Sequence, residues 1–196
     1  MSEVLHDRAT GLVDMPVRME RANLQHLPHY DLPPGYWLRT MLPEEAPTWT
    51  EVQRDAERVI EVSDGLFMDE FGSDLRAIEH RCFLLEAEGR RAVGTISAWY
   101  TADYNRTGAN WGRLHWFAIR PSHQGRGLAR PMISYVLERF AAWGHPAAWL
   151  ATSTSRLPAL KLYLDFGFAP DLEQPGAREV WARVRANLPH PALANL

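Results

Sequence analysis

Cysteine is almost missing from this chain of 196 residues. Cys82 stands alone, which excludes an internal disulfide and points to a reducing compartment, the cytoplasm. Lysine is as scarce, with Lys161 facing 20 arginines. That imbalance reads as codon bias rather than a nucleic-acid signature, because an acidic first half would repel a duplex. No apolar run approaches the length of a membrane span. The opening Met1-Ser2-Glu3-Val4-Leu5-His6-Asp7-Arg8 also lacks the hydrophobic stretch of a signal peptide, so neither membrane nor secretion is expected. The histidines show no metal-ligand spacing, and no metal is expected. What remains is an ordinary globular composition, 46% hydrophobic and 23% charged, which excludes disorder and collagen and can fill one core.

The net charge of −3 conceals an uneven distribution. Residues 1–98 hold 18 acids against 10 arginines, whereas 99–196 hold 6 acids against 10 arginines and Lys161. Ten of the acids fall within 44–74, and the basic surplus centres on Arg113, Arg120, Arg126, Arg130 and Arg139. One part of the surface should therefore attract cations and another anions.

Residues 1–34, rich in His and Pro and closed by Leu32-Pro33-Pro34-Gly35, read as an extended arm, with one domain over 35–196. A strand is expected over 35–42. A helix follows over 51–62, capped by Thr48 or Thr50, then a weaker helical pattern over 66–80 that restarts from Ser73. Residues 82–87 and 92–100 form a hairpin turning at Gly89. A polar loop leads to a strand over 114–119, a helix over 129–143, a strand over 148–152 and a helix over 158–166 opened by Pro158. Val180, Trp181, Val184 and Leu188 give the tail, 177–188, helical spacing.

The most informative stretch is Ile119-Arg120-Pro121-Ser122-His123-Gln124-Gly125-Arg126-Gly127-Leu128-Ala129-Arg130, between an expected strand and an expected helix. Gly125 and Gly127 allow a close backbone approach, the N–H groups opening the helix are free donors, and Arg126 and Arg130 add positive charge: this is a phosphate-binding loop. A Walker loop is excluded because no Gly-Lys-Ser/Thr follows, and Arg130 occupies the third small position of a dinucleotide fingerprint. Gln124-Gly125-Arg126-Gly127-Leu128-Ala129 resembles the Gln/Arg-x-x-Gly-x-Gly/Ala pyrophosphate loop of GNAT N-acetyltransferases. Ala159-Leu160-Lys161-Leu162-Tyr163-Leu164-Asp165-Phe166-Gly167-Phe168 resembles that family's Ala-x-x-Leu-Tyr-x-x-x-Gly-Phe helix at the expected distance downstream. The order of elements over 35–170 agrees.

The resemblance implies an α/β fold with a mixed, mostly antiparallel twisted sheet flanked by helices, here with a C-terminal helix in place of the usual last strands. It implies acetyl-CoA as co-substrate and an amine as acceptor, in a monomer or homodimer. Backbone groups at Phe117, Ala118 and Ile119 would hold the pantetheine arm, and Gln124, Gly125, Arg126, Gly127, Leu128, Ala129 and Arg130 the diphosphate. Tyr163 matches the general acid: a phenol of pKa about 10 stays protonated and can donate to a departing thiolate. His115 lies in a strand resembling that of arylalkylamine N-acetyltransferases and is the candidate base, sharing a face with Phe117 and Ile119 by strand alternation. Glu79, Glu86 and water are the competing bases. The acceptor pocket should come from 44–80 and 100–112, whose acids and aromatics, Trp49, Phe67, Phe71, Trp99, Tyr100, Tyr104 and Trp111, suit a cationic amine. Arg156 stands where many members of the family have Asn. A non-catalytic acyl-CoA sensor and a nucleotide-phosphate transferase are the rival readings.

Overall fold

A computed structural model of the chain describes residues 14–196. Strand alternation and helical periodicity produce thirteen main elements: β1 (Pro16–Arg21), β2 (Tyr36–Thr40), α1 (Ala46–Ala56), α2 (Leu66–Phe71), α3 (Leu75–Arg81), β3 (Cys82–Ala87), β4 (Arg91–Thr101), β5 (Trp111–Ile119), α4 (Ala129–Ala142), β6 (Ala148–Ser153), α5 (Leu157–Asp165), β7 (Ala169–Pro170) and α6 (Ala177–Asn187). The strands form one sheet in the order β2-β3-β4-β5-β6-β1-β7. Every neighbouring pair is antiparallel except β5 and β6.

Burial on the two faces of the sheet explains the layering. Alternate residues Cys82 and Leu84 of β3 join Met41, Trp49, Phe67, Phe71 and Ile78 in a cluster under α1, α2 and α3. Phe83 and Leu85 point the other way and join Met132, Val136 and Phe140 of α4, Leu160 and Leu164 of α5, and Trp181 and Val184 of α6. Trp181 and Val184, fully buried here, are why the tail is a helix: its apolar stripe closes the second layer.

Three expectations change. Residues 1–34 are not simply an arm, because Pro16–Arg21 pairs along its whole length with β6 and so completes the sheet; residues 1–13 of that stretch lie outside the described part. Its alternation, with Val17 and Met19 buried, is too short a signal to outweigh the surrounding Pro and His. The first helix runs over Ala46–Ala56 rather than 51–62. Pro47 lies in its first turn, and Glu57 ends it by accepting from the N–H groups of Arg58 and Val59. Asp74, not Ser73, caps α3, accepting from the N–H of Ala77.

Candidate active site

The site begins as a defect in β5. Thr95 of β4 faces Ala118 and Ser97 faces His115, so Trp116 and Phe117 together oppose Ile96. Trp116 takes up the extra residue with φ of +47°, a left-handed conformation that is costly for a bulky side chain. A buried clamp holds it there. The amide Nε2 of Gln53 on α1 donates to the carbonyl of Trp116 at 2.9 Å and to Oγ1 of Thr95 at 2.6 Å, and that hydroxyl donates to the same carbonyl at 3.1 Å. Gln53 and Thr95 are both buried.

The bulge also steers β5 away from β6. The two strands pair only at Gly112 with Ala148 and at Arg113 with Trp149, while β6 stays fully paired to β1 on its other side. On the side toward β6, residues 114–119 thus present an edge that no described strand pairs with, and the sheet opens into a slot. Gly112 permits the close packing at the base of the slot: a Cβ there would collide with the ring of Phe140. Replacing Gln53 by Met, which keeps volume but removes the donor, is expected to destabilise the fold by about 1–3 kcal/mol and to loosen the bulge that holds the slot open. Urea unfolding, with hydrogen exchange of the amides of 114–119, checks it; unchanged values in both would mean that the clamp does not hold the slot.

The expected loop lies at the mouth of this slot. Pro121 opens a single 3-10 turn, after which Gly125 and Gly127 adopt φ of +74° and +76°, with open space where a Cβ would be. Helix α4 starts at Ala129 with no side-chain cap on its first N–H groups. Among the described residues, nothing accepts from the N–H groups of 125–130, which leaves a row of donors for an anion. Leu128 is buried and anchors the loop to the core. Three side chains are engaged: Gln124 donates to the carbonyl of Ile119, Arg126 donates to the carbonyl of Ser122, and Arg130 pairs with Asp165 at 3.3 Å. Gln124 therefore shapes the loop through its backbone contact. Burial and the charges of Arg126, Arg91 and Arg120 depress the pKa of the nearby His123.

Tyr163 projects from α5 into the second core layer, with Phe168 at 6.1 Å between ring centres. Burial pushes its phenol up to about 12, partly opposed by the charge of Arg156. No hydrogen bond to its hydroxyl occurs among the described residues. Arg156 donates to both carboxylate oxygens of Glu57, at 2.8 and 2.7 Å, tying the start of α5 to the end of α1.

His115 is placed differently from expectation. The bulge breaks the alternation, so His115 packs on Phe71 of α2 at 5.3 Å, while Phe117 and Ile119 face the layer of α4 and α5. Nε2 of His115 approaches Oε2 of Glu70 to 3.0 Å, close in distance though not aligned as a hydrogen bond. His115 and the indole of Trp116 hold the Glu70 carboxyl down at about 2. For His115 burial outweighs Glu70, so its pKa falls and it is neutral at pH 7. Glu70 was missed in the sequence, where it is one of ten acids and carries no distinguishing spacing.

The expected acceptor wall is largely core or paired charge. Trp49, Phe67 and Phe71 are buried against one another. Glu45 pairs with Arg39, Asp55 with Arg120, Glu57 with Arg156 and Asp64 with Arg54. Glu86 pairs with Arg39 and is thereby removed from the contest for the base. No group among the described residues could hold a metal ion, and none of the described helices is long and apolar enough to cross a membrane.

The model of the acetyltransferase (GNAT) family matches residues 39–168. N-acetyltransferase 8B of Rattus norvegicus is 30% identical over 86 residues, 44% of this chain and 38% of that protein, so the match spans well under half of the relative. The GCN5-related N-acetyltransferase from Sphaerobacter thermophilus superposes with a TM-score of 0.66 at 21% identity, covering 81% of this chain and 48% of that one. A GNAT-family acetyltransferase from Colwellia psychrerythraea gives 0.59 at 14% identity, covering 82% and 55%. At such identities the two structures share the fold.

Proposed function

This chain belongs to the GNAT acetyltransferase family, and we propose that it is an acetyl-CoA-dependent N-acetyltransferase, acting on a primary amine by direct attack within a ternary complex. The observation that carries the proposal is the slot itself: a strand edge over 114–119, unpaired toward β6, opens beside a loop whose N–H groups, 125–130, have no acceptor among the described residues. An extended amide-bearing arm fits the edge at Phe117, Ala118 and Ile119, and a diphosphate fits the donors of Gly125, Arg126, Gly127, Leu128, Ala129 and Arg130. Acetyl-CoA combines those two chemistries with an activated thioester.

The residues divide the proton work. Neutral His115, its Nε2 3.0 Å from Oε2 of Glu70, offers a ring nitrogen as acceptor for the ammonium proton, directly or through water; the anionic Glu70 stabilises the imidazolium that results. Tyr163 supplies a hydrogen bond to the departing sulfur. Transfer from a phenol raised to about 12 to a thiolate is uphill, so its contribution is a donated hydrogen bond as the carbon–sulfur bond breaks, with solvent completing the protonation.

Free-thiol release from acetyl-CoA, measured with a panel of primary amines, tests the proposal. Amine-dependent release is expected. Tight CoA binding without release on any amine would replace it with the acyl-CoA sensor, and nucleoside triphosphate binding that acetyl-CoA fails to displace would replace it with the phosphate transferase.

A further inference from the structure

Beyond His115, the sheet face that carries it continues across β6 to β1. Arg113 lies two residues before His115, about 7 Å along the strand and on the same face. Its guanidinium sits 4.9 Å from the centre of the Trp149 ring on β6, and that of Arg18 on β1 sits 5.6 Å from the same ring. Two like charges on one indole repel each other unless an anion joins them. Yet neither arginine donates a hydrogen bond or forms an ion pair among the described residues, and Nε of Arg113 is buried without a partner.

The nearby carboxylates make their hydrogen bonds and close contacts elsewhere, although the charge of Glu70 still reaches Arg113, and the Asp171 carboxylate accepts from Glu173 and Gln174. Glu70 turns to His115, and Oε1 of Glu20 accepts from the hydroxyl of Tyr104 at 2.9 Å and from Asn105 at 3.0 Å. Trp149 itself is fixed, its Nε1 donating to Thr101 while Tyr104 stacks on it at 4.9 Å. The result is an aromatic platform that holds two guanidiniums without a hydrogen-bonded partner among the described residues, Arg113 feeling the charge of Glu70 only at a distance.

We propose that the acceptor amine carries a carboxylate, and that Arg18 and Arg113 bind it over Trp149 while the amine reaches His115. The substrate class is therefore amino acids and other amino-carboxylates rather than simple cationic amines. This rests on the transferase reading for the role of the bound molecule, but the anion site is testable apart from it.

The experiment titrates CoA-loaded protein, by calorimetry, with matched compounds: phenylalanine against phenethylamine, 4-aminobutyrate against propylamine, and O-phosphoethanolamine as a phosphate-bearing amine. Binding of the carboxylate member about tenfold to a hundredfold tighter is expected. Arg113→Gln and Arg18→Gln should each reduce that ratio, Arg113→Lys should retain part of it, and CoA affinity should stay unchanged in all three. Arg18 is exposed, so its variant carries the test if Arg113→Gln fails to fold. Equal binding within each pair, a preference that survives both Gln variants, or tighter binding of the phosphate compound would overturn the inference. Carboxylate-selective binding with no thiol release on any compound would leave the anion site standing and sink the transferase reading alone.

Discussion

Replacing Tyr163 by Phe is expected to lower kcat for thiol release by about 10²-fold while leaving CoA affinity nearly unchanged. The change removes one oxygen from a side chain whose ring is held by the second core layer, with Phe168 beside it. Packing is preserved and no hydrogen bond to a described residue is lost. A loss of rate therefore reports on what the hydroxyl does for the departing sulfur. Arg156→Gln provides a graded companion: without the guanidinium charge the phenol loses the influence that lowers its pKa, becomes a weaker donor, and kcat should fall less than in Tyr163→Phe. That variant also unpairs Glu57, whose carboxylate Arg156 now neutralises, so its thermal stability should drop as well. Full turnover in Tyr163→Phe would remove the phenol from the mechanism.

The second large effect is expected at His115. His115→Gln should reduce kcat/KM by about 10²-fold at neutral pH and abolish the acid limb of the pH–rate profile. In the wild type, activity needs the neutral imidazole. It should therefore fall as pH drops through a pKa that burial has lowered beneath the usual 6.5. Glu70→Gln decides whether the two side chains act together. The Glu70 carboxylate favours the imidazolium, so removing it should push the His115 pKa lower still and move the acid limb to lower pH, with a reduced plateau. An unaltered profile in His115→Gln, measured as kcat/KM from pH 5 to 9, would sink the assignment of the base. An unshifted limb in Glu70→Gln would confine Glu70 to packing. Fold stability follows the same sign: the raised cost of protonating buried His115 makes the folded state lose stability below its unfolded pKa.

Local elements were legible in the sequence. Gly125 and Gly127 need only local backbone freedom to form the loop, and Tyr163, Gly167 and Phe168 occupy a single helix and its end, so motif spacing alone places these residues on a loop and a helix. The burial periods of α4 and α6 are equally local, which is why the terminal helix was legible where strands were expected from the family. The surroundings of His115 come from tertiary pairing instead. A one-residue bulge at Trp116, held by Gln53 from another element, reversed the face of His115 relative to Phe117, because side chains alternate with a period of two and one added residue inverts all that follow. Glu70 meets His115, and Arg18 meets Arg113, across 45 and 95 positions of chain. Such encounters leave no periodic trace in sequence. They arise when strand pairing and helix packing set distant side chains on one face of the sheet.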